Sequence, residues 1–228
     1  MTGVQTCALP IFLRKETFNV ENLEALFFGR ALLLETDKED TYFKNLKFRW
    51  EYLQNKYQLK NVIIEPVQFF KHRPDNFPTI RISQLANVYQ THQNLFSIIM
   101  TAQTIQEIYK IFNVSVSTYW QTHYNFDKLS PKKSKLLSKS FIDLLIINTI
   151  IPFRFAYEKS QGKETSEENI YFLEQIAPER NAIIDKFKSI EIESNNAFET
   201  QTLLQLKNEY CNKSACLQCA IGIELLRN

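Results

Sequence analysis

Residues 19–34 read NVENLEALFFGRALLL, and their apolar side chains return at helical intervals: Val20, Leu23, Leu26 and Phe27, then Leu33 and Leu34, behind an Asn19 placed as a cap. The pattern predicts an amphipathic helix with Gly29 inside it. Residues 42–57, YFKNLKFRWEYLQNKY, repeat the pattern and set Phe43, Leu46, Trp50, Leu53 and Tyr57 on one face. Two such stripes, joined by the polar residues 35–40, predict an antiparallel helix pair in which each apolar face covers the other.

The same periodicity continues outward. Pro66 breaks the apolar run Val62, Ile63, Ile64, and Pro78 suits the first turn of a helix over 79–90. Further helices are predicted over 95–102, 105–112, 135–151, 167–176, 180–187, 196–210 and 216–226, and alternation at period two is confined to 114–119. The expected fold class is all-α, a compact multi-helix domain with at most a short strand or hairpin. SQGKETSEE, residues 160–168, is the one polar stretch long enough to mark an internal edge.

Composition narrows the function. With four glycines and seven prolines in 228 residues, phosphate-cradling glycine loops and β-sandwich turn networks are disfavoured. The balance of 27 basic and 25 acidic side chains, net +2, is far from that of a dedicated duplex-DNA binder, though a local basic patch is compatible with it. The best apolar run, Leu144 to Phe153, is broken by Asn148 and preceded by Asp143, so it reads as a buried core helix and no membrane partner is expected. G-x-S-x-G, P-loop and H-E-x-x-H signatures are missing, and the chain by itself is not expected to be catalytic.

The opening residues 1–11, MTGVQTCALPI, carry no charge and no apolar period, and they resemble a sequencing-library adapter translated as coding sequence. The expected domain organisation is therefore an artefact over 1–11 and a helical domain over 12–228.

Three constellations carry chemistry. In YCNKSACLQCAIG, Cys211, Cys216 and Cys219 have gaps of four and two residues, a spacing that lets sulfurs converge on zinc or an iron–sulfur cluster. The fourth ligand would come from His123, His92, His72, an acidic side chain or a part of the protein preceding residue 12, with His123 the first choice because Trp120, Tyr124 and Phe126 would bury and orient its ring. The competing readings are cysteines as small core fillers, or a disulfide. Unpaired thiols fit a reducing, cytoplasmic setting. In KHRPDNFPTIRIS, residues 71–83, Arg73, Asn76 and Arg81 would meet at a helix start and hold an anion, or Asn76 would act only as the cap. Lys132, Lys133 and Lys135 form a basic run that would contact nucleic-acid backbone, with Trp120 or Tyr124 for base stacking, or would be a solvated face.

FFGRALLL at 27–34, RPDNFPTIRISQLA at 73–86, YWQTHYNF at 119–126, INTIIPFRFAY at 147–157, and LKNEYC followed by CLQCAIG together resemble an uncharacterised bacterial family, domain of unknown function 2851. The resemblance runs over residues 12–228. It implies the carboxyl-terminal portion of a longer protein whose missing amino-terminal domain is a partner and is faintly similar to nuclease cores, and it brings no activity. The leading functional expectation is a metal-stabilised scaffold or recognition domain. A nucleic-acid-handling module and a helical interaction domain with cysteines as plain core are the alternatives.

Overall fold

In the computed structural model of the chain the described residues are 15–16, 19–59, 65, 67–163 and 166–227; the run Val62 to Ile64 and residues 1–11 lie outside them. The described residues gather into two compact units, those up to 102 with 106–139, and 103–105 with those from 140 onward. The sequence suggests one domain with an edge near 160–168. The observed division lies elsewhere because contacts define a unit, and the length of a polar loop does not report them.

In the first unit α1 spans Val20–Arg30, and the Asn19 side chain accepts from the N–H groups of Glu21 and Asn22 at 2.9 and 3.2 Å. Leu32 takes a positive φ of 57°, so Leu33 and Leu34 leave the helix that their spacing suggests they continue. Helix α2, Thr41–Lys56, is capped by Asp40, which accepts from the Phe43 N–H at 2.9 Å. Helix α3, Pro78–Thr91, packs with α2 against α1, and Leu23, Leu26, Phe28, Leu46, Leu53 and Ile80 are fully buried. Gly29 sits where α1 meets α2: a Cβ there would lie 2.1 Å from Trp50 Cδ2, so only glycine admits the indole.

Short helices α4, Leu95–Thr101, and α5, Ile105–Ile111, follow. Of the alternating residues 114–119, 114–117 form no helix or strand, Thr118 is a turn and Tyr119 opens a 3₁₀ turn, Tyr119–Gln121; Val114 and Val116 are buried, and one-sided burial gives period two without a sheet. The strands are instead β1, His123–Asn125, and β2, Lys128–Leu129, an antiparallel hairpin with His123 opposite Leu129 and Asn125 opposite Lys128. The all-α class with one short hairpin holds.

The core of this unit is pinned by a carboxylate. Glu24, fully buried on α1, accepts from Tyr42 Oη at 2.5 Å, Ser83 Oγ at 2.6 Å, Ser117 Oγ at 2.8 Å and Trp120 Nε1 at 3.2 Å. One side chain thus ties α1 to α2, α3 and the segment leading into the hairpin. Burial raises its pKa above the ordinary value, and the four donors only partly offset this. Burial and the neighbouring Glu24 charge push the Tyr42 phenol up as well.

In the second unit α6 runs from Lys139 to Ser160 and widens by one residue per turn over Ile146–Ile150. It starts later and ends later than predicted, since Lys135 is drawn into the first unit. By length and composition it is apolar enough to cross a membrane. Ile142, Ile146, Ile147, Ile150 and Ile151 are buried while Leu144 and Phe153 are 46% and 60% exposed, so it is a one-faced helix and not buried all round. Its buried side also carries Arg154 and Glu158, both bonded to Asn169 of α7, Ser166–Glu174. Helices α8, Ala182–Lys188, and α9, Ala197–Gln205, begin at Asn181 and Asn196, whose side chains cap them. Beyond α9 a wide turn, Leu206–Cys211, and a 3₁₀ turn, Cys216–Gln218, lead to α10, Ala220–Arg227.

Candidate functional site

The hairpin of the first unit contributes residues to two surfaces. On one, Tyr42, Tyr119 and His123 form a stack of near-parallel rings with centroids 4.2 and 3.9 Å apart. They border a cleft of about 670 Å³ that Asp40, Asp127 and Leu129 also line. His123 Nδ1 lies 3.0 Å from the Tyr119 carbonyl oxygen and 3.1 Å from Thr122 Oγ1. Asp40 accepts from Tyr119 Oη at 2.6 Å, and Asp127 accepts from the Asp40 N–H at 3.0 Å and from Lys38 at 3.3 Å. Burial pushes the Asp40 carboxyl up, but the Tyr119 hydroxyl and the N–H groups of Phe43 and Asp127 outweigh it and hold the group below the usual range. Burial and this hydrogen bond together raise the Tyr119 phenol.

The second surface brings together the two basic segments that the sequence places fifty residues apart. Lys133 Nζ meets Asp75 Oδ2 at 2.7 Å, and Tyr124 Oη donates to the other Asp75 oxygen at 2.9 Å. The Lys133 hydrogen bond is the main reason the Asp75 carboxyl lies below its ordinary pKa. The Gln84 side-chain N–H donates to the Lys135 carbonyl at 2.8 Å, which joins the segment after the hairpin to α3. Arg81 Nη2 reaches Asn76 Oδ1 at 2.6 Å and its Nη1 reaches Gln84 Oε1 at 2.8 Å, so Arg81 and Asn76 do meet at the start of α3. Desolvation lowers the Arg81 pKa, which Asp75 partly restores. Asn76 ends a 3₁₀ turn, Pro74–Asn76, and Phe77 occupies the cap position of α3 without a side-chain bond, so the cap reading of Asn76 is corrected. Arg73 and Lys132 are exposed.

Lys135 departs from its predicted role. It is 3% exposed, with Nζ on the carbonyl oxygens of Trp120 and His123 and 3.8 Å from the centre of the Tyr124 ring. Burial lowers its pKa. A lysine that satisfies two carbonyls in the interior braces the hairpin and is out of reach of a phosphate. Trp120 is likewise fully buried, stacked on Phe28 at 5.3 Å, so it offers no face to a base.

The cysteines lie in the second unit and His123 in the first. All three thiols are free; Cys211 and Cys216 are exposed and Cys219 is half-buried, so core filling does not describe the first two. Among the described residues no group of three or more His, Cys, Asp or Glu side chains is placed to hold a metal ion. His123 is oriented by Tyr119 rather than by Trp120, Tyr124 and Phe126 as its sequence neighbours suggest.

Glu24, Asp40 and Asp75 were missed by sequence reasoning. For Glu24 a signal exists, since it interrupts the apolar stripe Val20, Leu23, Phe27, Phe28 at helical spacing. Asp40 directly precedes Thr41 and has the form of a cap.

Residues 6–182 match the family model described as a protein of unknown function, DUF2851. The chain belongs to this family. The DUF2851 match takes in both surfaces of the hairpin and the blocks at 73–86, 119–126 and 147–157. It ends before Cys211, so the cysteine segment that contributed to the resemblance lies outside it, and it begins inside the 1–11 string. No curated protein and no solved structure gives a significant match.

Proposed function

We propose that the first unit is a nucleic-acid-binding module that grips the phosphate backbone through Arg73, Lys132 and Lys133 beside the Arg81–Asn76 pair at the start of α3. The observation that carries this reading is the meeting of the two basic segments at Asp75. Between them they bring Lys133, Lys135 and Arg81 within electrostatic reach of Asp75, with Arg73 two residues from it in the chain and Lys132 next to Lys133, in a chain whose totals nearly cancel. Charge concentrated in this way acts on a polyanion within a Debye length, where the chain's average does not. Asn76 and Gln84 hold the Arg81 guanidinium in a fixed orientation. Tyr124 is the aromatic side chain of this surface, with its hydroxyl on Asp75.

Backbone contacts release counterions, so the test is the salt dependence of binding to a labelled single-stranded oligonucleotide. Each phosphate contact contributes roughly 0.7 to the slope of log K against log salt. Replacing Arg73 and Lys132 together by Ala is expected to weaken binding at low salt and to flatten the slope by about 1.4. A full chain that fails to bind at low salt, or a double variant with an unchanged slope, overturns the proposal.

A further inference from the structure

We propose that Cys216 and Cys219 are a thiol–disulfide exchange pair, oxidised by low-molecular-weight disulfides such as oxidised glutathione and reset by thiols. The inference concerns the second unit and does not rest on nucleic-acid binding. Both thiols are free, and the two cysteines bracket a single 3₁₀ turn in which the Cys219 N–H donates to the Cys216 carbonyl at 3.2 Å. A turn closed in this way keeps its end Cα atoms within about 7 Å, and disulfides span roughly 4.4–6.8 Å, so the bond can close with little movement of the main chain.

Two further features hold the turn in place. Gly222 lies directly under it: a Cβ there would be 2.3 Å from the Cys216 carbonyl oxygen, so the turn rests on the first turn of α10 where only glycine leaves room. Cys219 immediately precedes α10, and its carbonyl accepts from the Ile223 N–H at 2.8 Å. Exposure divides the roles. Cys216 is exposed and open to attack on an external disulfide, whereas Cys219 is half-buried and placed to resolve the product.

The steps balance. The Cys216 thiolate attacks one sulfur of the small disulfide; its S–S bond breaks, one thiolate leaves, and a mixed disulfide forms on Cys216. The Cys219 thiolate then attacks the Cys216 sulfur and expels the second small thiol. Two protein thiols are oxidised, one disulfide is reduced to two thiols, and the two cysteine protons end on the products. A structural metal would need further ligands, and among the described residues no group of three is placed to supply them.

The test uses the full chain, reduced, desalted and exposed to oxidised glutathione, with intact mass, maleimide labelling and peptide mapping as readouts. Two of the chain's four cysteines are expected to lose reactivity with the loss of two hydrogens in mass, and mapping should link Cys216 to Cys219. The same outcome is expected in Cys211→Ser. Cys219→Ser should stop at a persistent glutathione adduct on Cys216, and this separates a resolving cysteine from a bystander. A wild-type protein that stops at the adduct, a bond that links Cys211 instead, or a protein isolated with an equivalent of zinc whose thiols react only after chelation would each overturn the proposal.

Discussion

Glu24→Gln tests the central contact of the first unit, because it removes a charge while nearly keeping a shape. The wild-type carboxylate is fully buried, takes four hydrogen bonds and has no cation among the partners seen, and burial raises its pKa above an ordinary value of 4.5. A carboxyl with a raised folded pKa stabilises the fold fully below the unfolded value and loses that contribution as pH rises through the folded one. Inside that window the wild type loses about 1.4 kcal/mol per pH unit relative to the uncharged variant. The amide still accepts from Ser83 and Ser117 through its oxygen, but its NH₂ faces the Trp120 N–H, a donor conflict worth roughly 1–3 kcal/mol. Urea unfolding of both proteins from acid to neutral pH should therefore show the wild type ahead in acid, with its lead shrinking or reversing toward neutrality. Glu24→Ala fixes the scale: it leaves the Trp120 N–H and three hydroxyls without their acceptor and is expected to cost about 3–5 kcal/mol at pH 7. A stability difference between wild type and the Gln variant that stays flat, or grows with pH, refutes the reasoning, since the four donors would then more than repay the buried charge.

Gly29→Ala sets a helix-propensity gain of about 1 kcal/mol against a methyl group that overlaps a rigid indole. A net loss of roughly 1–3 kcal/mol in denaturant unfolding is expected, with partial recovery when Trp50→Leu is added, and a neutral or stabilised single variant would show that α1 and α2 do not meet there. Lys135→Ala should lose about 2–4 kcal/mol of stability, because two buried carbonyls lose their donor, and should leave the salt slope of oligonucleotide binding unchanged under conditions where the variant is folded. A flattened slope in that variant would place Lys135 on the phosphate after all.

The helices that sequence places well are those where three independent signals agree. Asn19 accepts from first-turn N–H groups, the stripes of α1 and α2 have helical period, and a glycine allows the pair to close. Where one signal stood alone it misled. Residues 114–119 have period two because one side is buried, and among the described residues no strand pairs with them. The leucines after Arg30 keep the apolar composition of a helix, but Leu32 takes the left-handed region and turns the chain. Lys135 to Ser138 have enough helical character to extend α6 toward the amino terminus, yet two carbonyls of the first unit capture the Lys135 ammonium and hold the segment extended.

The candidate surface was legible as parts and not as a whole, and the reason is electrostatic. A net charge is a sum, and 27 bases against 25 acids says nothing about whether like charges are neighbours. Asp75 determines that here. Its two oxygens are taken by Lys133 and Tyr124, so one acid spends its charge on one lysine and, in doing so, fastens the 71–76 loop to the segment after the hairpin. By pairing with Lys133 it joins the loop that carries Arg73 to the segment that carries Lys132, and without that anchor two basic loops would repel each other. If the surface is only solvated charge, nothing replaces the anchor once it is removed; if it serves a polyanion, a bound phosphate should take over part of the work that Asp75 does. Asp75→Asn separates these cases, because the second predicts that the variant is destabilised alone and that added oligonucleotide recovers more stability in it than in the wild type. Equal stabilisation of the two proteins by the oligonucleotide would mean that the acid and the phosphate do not share the same cations.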